Sequence, residues 1–139
     1  MNTELDYEVG GLSYRRRADG IHEFRLQVVT TISVDAWFET ASAIEGYARV
    51  TNEHVRSLYR IYGLWPTPYA AKRIIELTRK TSPTLRISTA VLMDDHAIVV
   101  VVVQALLRQV ASTRANMNQI FFHENDALHW LEERRKALG

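Results

Sequence analysis

The chain has 139 residues, the size of one domain, and a chain this long can bury a core without disulfide or metal staples. Hydrophobic residues are 47% and charged residues 24%, which excludes a disordered polyelectrolyte, and a net charge of +1 gives no field to attract nucleic acid. The absence of cysteine excludes disulfides, thiol catalysis and thiolate metal sites, and it suits a cytoplasmic address.

Residues 1–8 are acidic and polar, unlike a secretory leader. Residues 1–11 are expected to be a loose lead-in to a single domain spanning 1–139. Segments 12–17 and 21–28 flank Ala18-Asp19-Gly20. Asp-Gly between two β-like segments predicts a hairpin, because glycine accepts the positive φ that such turns need. Phe24, Leu26 and Val28 alternate with Glu23, Arg25 and Gln27, as on a strand with one buried face. Of Arg15-Arg16-Arg17, only Arg15 and Arg17 share a side, which reads as a charged edge strand.

A helix is predicted from Ser33, an N-cap residue, with Ile32 and Trp37 as a hydrophobic staple. Val34, Trp37, Phe38, Ala41 and Ile44 fall on one helical face, and Gly46 lies near its end. Residues 55–62 are β-branched and aromatic and predict a strand. Gly63-Leu64-Trp65-Pro66-Thr67-Pro68 is a turn into a second helix, capped by Thr67 with Pro68 at the first helical position. Ala70, Ala71, Ile74, Ile75 and Leu77 form its apolar face, and Ser82-Pro83 stops it.

Residues 85–92 predict a strand and Asp94-Asp95-His96 a loop. Residues 97–110 contain five consecutive valines, which favour a strand by propensity. The length of the segment and its β-α surroundings favour a mostly buried helix. Its apolar run, 97–103, is far short of the roughly 20 residues that span a bilayer. Ile120 to Phe122 reads as the last strand, and His123, Glu124, Asn125 and Asp126 as the cap of a last helix with Ala127, Leu128 and Leu131 inward. Arg134-Arg135-Lys136 reads as that helix's solvated last turn. The sum is an α/β fold: a hairpin followed by α-β-α-β-α-β-α, with a mixed, mostly parallel sheet packed by helices.

The order of elements, with the ending Ile-Phe-Phe-His-Glu-Asn-Asp-Ala-Leu-His-Trp-Leu, resembles a STAS domain and is similar to the SpoIIAA-like (STAS-like) bacterial proteins. Phe122, Ala127, Leu128, Trp130 and Leu131 carry the likeness, over about residues 12–135, and all are packing residues. The resemblance implies a non-enzymatic regulatory or protein-interaction domain, acting as a homodimer or through a protein partner. It also implies, as the alternative, a carrier or sensor that holds a small apolar molecule or lipid between sheet and helices. Anti-sigma-factor antagonists of this family carry an Asp-Ser phosphorylation segment after the third strand. That corner here reads Gly63 to Tyr69, without the Asp-Ser pair, and Thr67 is its one aliphatic hydroxyl. Thr67 is thus either a phosphorylation site or a helix cap, and the cap is preferred.

No catalytic motif is present. There is no His-Glu-x-x-His, no phosphate-binding glycine loop and no nucleophile elbow. The five histidines, His22, His54, His96, His123 and His129, lack metal-site spacing, so no metal or cofactor is expected. Tyr59, Tyr62, Trp65 and Tyr69 cluster around the turn after residues 55–62. With Thr67 they are the candidate ligand or partner site, as a small apolar pocket or a dimer patch.

Overall fold

A computed structural model describes residues 7–27, 29–61, 67–95, 97–110 and 113–139. Six strands form one sheet in sequence order: β1 (Tyr7–Val9), β2 (Leu12–Arg16), β3 (His22–Leu26), β4 (Val55–Ile61), β5 (Ile87–Leu92) and β6 (Asn116–Phe121). β1, β2 and β3 pair antiparallel, and β3 to β6 pair parallel. The helices are α1 (Thr31–Thr51), α2 (Pro68–Lys80), α3 (Ala97–Gln109) and α4 (Glu124–Leu138). The predicted α/β class is therefore the observed one.

Parallel strands added in order through crossovers of one hand must carry every crossover helix on the same side of the sheet. The packing follows that rule. Leu12, Tyr14, Phe24 and Leu26 meet Trp37, Phe38 and Ala41 of α1 and Leu77 of α2. Ile61 and Val91 meet Val99 and Val103 of α3 on that same side. The alternate residues, Leu58 and Ala90, face the other way and pack on Ala127 and Leu131 of α4. One sheet thus has three helices on one face and a single helix on the other.

Several local outcomes differ from the sequence reading. Residues 7–9 are a strand where a lead-in is expected: Gly10 and Gly11, both at positive φ, turn the chain so that Val9 pairs with Leu12. The Asp19-Gly20 hairpin forms as expected, with Gly20 at φ 85°. Its second strand ends at Leu26, and Val28 lies outside the described residues. Because β1 lies outside β2, Arg15 is not on an edge strand.

The cap of α1 is Thr30, not Ser33. Thr30 accepts from the Ser33 amide at 3.1 Å and the Ser33 hydroxyl accepts from the Thr30 amide at 2.9 Å, so the helix starts earlier. Ile32 is 63% exposed and staples nothing. Helix α1 runs through Gly46 and ends at Asn52 in the left-handed region. The valine-rich segment is a helix, but only half buried: Val99, Val103 and Leu106 face inward, while Ile98, Val101 and Val102 are exposed. Arg134 is not part of a solvated end. It is buried, and its guanidinium donates to Ser88 Oγ and to the carbonyls of Arg114, Ile87 and Ala115. Trp130, against which Arg134 lies, shields it further.

Candidate functional site

The three-helix face of the sheet holds a partly open cavity of about 130 Å³. Its floor is built by strand alternation. Val55, Ser57, Tyr59 and Ile61 come from β4, Ile87, Thr89 and Val91 from β5, and Asn116 and Asn118 from β6. Parallel register sets Ser57 opposite Thr89 and Thr89 opposite Asn118, so one polar row crosses a floor that is otherwise apolar apart from Asn116 and the Tyr59 hydroxyl. Helix α1 contributes Trp37, Ala41, Ile44 and Glu45, and α2 contributes Ala70, Ile74 and Leu77. Leu107 of α3 and Val110 beyond it close another side. The cavity has a simple origin: Ala41, Ala70, Ser57 and Thr89 are short side chains on facing walls, and none reaches across.

The aromatic wall is rigid. Trp37 Nε1 donates to Tyr59 Oη at 2.7 Å, and the Tyr59 ring stacks on Phe24 with centroids 4.7 Å apart. Burial drives the Tyr59 phenol above its ordinary range. Glu45, at 9% exposure, is the carboxyl in the lining. Its Oε1 lies 2.7 Å from Thr81 Oγ1, and that same oxygen lies 2.8 Å from the Leu77 carbonyl. One hydroxyl proton cannot serve both acceptors at once. Burial pushes the Glu45 carboxyl up, against Thr81, Arg49 and Lys80, which favour its charged form. A protonated Glu45 donating to Thr81 Oγ1 satisfies every group.

The expected site residues separate. Tyr59 lies in the cavity wall. Thr67 caps α2, accepting from the Ala70 amide at 3.1 Å. Tyr69 lies outside the cavity and donates to Asp35 of α1, beside Arg73. Tyr62 and Trp65, with the rest of the 62–66 turn, lie outside the described residues. Sequence reasoning missed Glu45, Ser57, Thr89 and Asn118. The signal was present for three of them: Glu45 falls on the Ala41–Ala48 stripe of α1, Ser57 sits between Val55 and Tyr59, and Thr89 sits between Ile87 and Val91. Each is a polar residue at a position where periodicity calls for an apolar one.

A second concavity of about 610 Å³ opens beside the C-terminal half of α1. It is lined by Tyr14, His22, Tyr47 and His54, and by Arg16 and Glu53, which pair at 3.8 Å. Burial, then Arg16 and Arg56, lowers His22 to about 4. Burial, then Arg134, Arg56 and Arg86, lowers His54 to about 4. Both imidazoles are neutral at pH 7. Ile44 and Val55 line this cleft and the cavity alike.

Asp94 and Asp95 are exposed, and His96 lies outside the described residues. Among the described residues no three His, Asp or Glu are grouped to hold a metal, and no helix is long and apolar enough to cross a membrane. Comparison with protein-family models, curated proteins and solved structures returned no match for this chain.

Proposed function

We propose that this domain is a carrier or sensor that binds a small, largely apolar molecule in the cavity between the sheet and helices α1 to α3. The cavity itself carries the reading. Its volume of about 130 Å³ is close to the roughly 150 Å³ of an engineered apolar cavity that takes up benzene, so it suits a compact ligand rather than a lipid. The chemistry of the lining supports binding without catalysis: among the described residues, no histidine lines the wall beside the hydroxyls of Ser57, Tyr59, Thr78, Thr81 and Thr89 to act as a base. The test is native mass spectrometry for a co-purified ligand, followed by thermal unfolding with benzene. Benzene should raise the midpoint of the wild type and leave Ala41→Leu, which fills the cavity, unmoved. A wild type that holds no ligand and ignores saturating benzene overturns the reading.

A second reading, the STAS-like interaction module acting as a homodimer or on a partner protein, draws on the outer face of α3. Ile98, Val101 and Val102 are 72%, 64% and 45% exposed there. The adjoining β6 is an edge strand without a charged residue, and charge is the usual guard on such edges. Sedimentation velocity tests it: a wild-type dimer that Val101→Glu dissociates supports the module, and a wild-type monomer at high concentration counts against self-association.

A further inference from the structure

We infer that the cavity's ligand is a small organic amine, held as its ammonium ion against the Glu45 carboxylate with its hydrocarbon part on the aromatic wall. The inference rests on the cavity reading above and names the ligand class.

Charge is the first argument. Among the described residues, the lining holds one carboxyl group and no lysine, arginine or histidine. An anionic ligand would find no counter-charge, whereas a cation would meet Glu45. Glu45 makes no ion pair with any described residue. Arg49 is exposed, and the Lys80 ammonium lies over the Phe38 ring at 5.2 Å. Thr81 is its hydrogen-bond partner. A buried carboxyl without an ion-pair partner is costly to ionise, and an incoming ammonium would relieve that cost.

Hydrogen-bonding capacity is the second argument. The side chains of Ser57, Thr89 and Asn118 form the polar row on the floor, and none of them hydrogen-bonds to another described residue. Hydroxyl and amide oxygens are acceptors, which is what N–H groups need. The third is the wall. Trp37, Phe24 and Tyr59 give an apolar aromatic surface on which the hydrocarbon part of such a ligand packs. A neutral alcohol of the same shape would use the floor and the wall but offer Glu45 only a neutral hydrogen bond and no counter-charge.

Binding has a proton balance. Where Glu45 is protonated in the free protein, R–NH3+ and Glu45–COOH give the ion pair and one free proton. The groups facing Glu45 that set this step are Thr81 and Lys80 from α2, Arg49 from its own helix and Tyr59 from β4.

Isobutylamine, isobutanol and benzene are the probes, titrated into the full chain by calorimetry at pH 5 in two buffers of different ionisation enthalpy. The expected result is amine binding at least tenfold tighter than alcohol, with proton release for the amine alone. Glu45→Gln should weaken the amine at least tenfold and leave the alcohol unchanged. Proton release in the wild type needs no variant, so the test stands even where Glu45→Gln fails to fold. Equal affinity for amine and alcohol, or amine binding without proton release, overturns the amine inference while benzene binding upholds the cavity. If benzene also fails to bind, the cavity reading falls and the inference with it.

Discussion

Glu23 offers the sharpest quantitative test of how this sheet is held together. It sits on β3, on the α4 side of the sheet, with 1% of its surface exposed. Arg15 Nε donates to its Oε1 at 2.9 Å. Arg60 Nε and Arg25 Nη2 donate to Oε2, the latter at 3.4 Å, and Arg60 also reaches Glu124 at the start of α4. Burial pushes the Glu23 carboxyl up, but the hydrogen bonds and charges of Arg60 and Arg15 outweigh it and hold the group at about 2, against 4.5 in an unfolded chain. A difference of that size corresponds to about 3 kcal/mol at neutral pH. Arg15 and Arg25 are half exposed and solvent-screened, which reduces the figure to about 2 kcal/mol.

Glu23→Gln keeps the shape and removes the charge. A depressed carboxyl stabilises the fold fully above its unfolded value of 4.5, and the contribution fades as pH falls from 4.5 towards about 2. Urea unfolding of wild type and variant at pH 7, 3.5 and 2 measures it. The gap should be about 2 kcal/mol at pH 7 and should close by pH 2. Contributions from the histidines are common to both proteins and cancel in the difference. A gap of the same size at all three pH values would refute the electrostatic account and point to shape alone. No gap at pH 7 would refute the claim that the cluster stabilises the fold.

Arg134→Met should cost about 3 kcal/mol in chemical unfolding, because Ser88 and three strand-end carbonyls lose their donor; a loss under about 1 kcal/mol would mean solvent replaces it. His22 and His54 are lowered to about 4, so the fold binds fewer protons than the unfolded chain between 4 and 6.5. Stability is then complete above pH 6.5 and falls as pH drops towards 4, and a His22→Gln, His54→Gln double variant should flatten the slope of thermal midpoint against pH in that window. An unchanged slope contradicts the neutral-imidazole account. Gly10→Ala meets both a positive φ and an added Cβ 2.7 Å from Ile32 Cγ2. It should lose about 1–2 kcal/mol and speed amide exchange in β1, and an unchanged stability would show that the turn tolerates a side chain.

The architecture was legible because it rests on periodicity and punctuation. Asp19-Gly20 marked the first predicted turn, Thr67-Pro68 marked the start of α2, and Ala127, Leu128 and Leu131 marked the inward side of α4. Three things escaped. Gly10-Gly11 is as strong a hairpin signal as Asp19-Gly20, but the flanking segment 7–9 is too short to stand out as a strand. Ser33 does cap, but from three residues into a box that opens with Thr30, and only the backbone geometry distinguishes the two roles. The valines of α3 gave no sign of which of them would be buried, since a run without polar residues has no phase. The site was less legible still. Aromatic residues near Trp65 drew attention as a cluster in sequence, yet of those described only Tyr59 lines the cavity. The others that matter there come from four elements: Ser57, Thr89 and Asn118 meet only through strand register, and Glu45 only through the packing of α1 on the sheet.

Two neighbours on β5 show why the cavity, and not merely buried polarity, carries the functional reading. Ser88 and Thr89 differ by one residue and so face opposite sides of the sheet. Ser88 is completely buried and saturated: its hydroxyl oxygen lies 2.8 Å from His54 Nε2 and 2.7 Å from Arg134 Nε. Glu23 and Arg60 on that face are likewise paired. Glu23, Arg60, Ser88 and Arg134 are therefore spent on one another, on Glu124 and on strand-end carbonyls, and they fix α4 against the sheet. Among the described residues Thr89 has no such partner, and neither do Ser57 and Asn118, which stand in register with it across the parallel strands. A sheet that satisfies its polar groups on one face and leaves a row of them open to a cavity on the other has divided its labour. Hydrogen-bonding groups that face free space can take up a ligand's polar atoms, and that pairing of an open row with a cavity is what supports the ligand-binding reading.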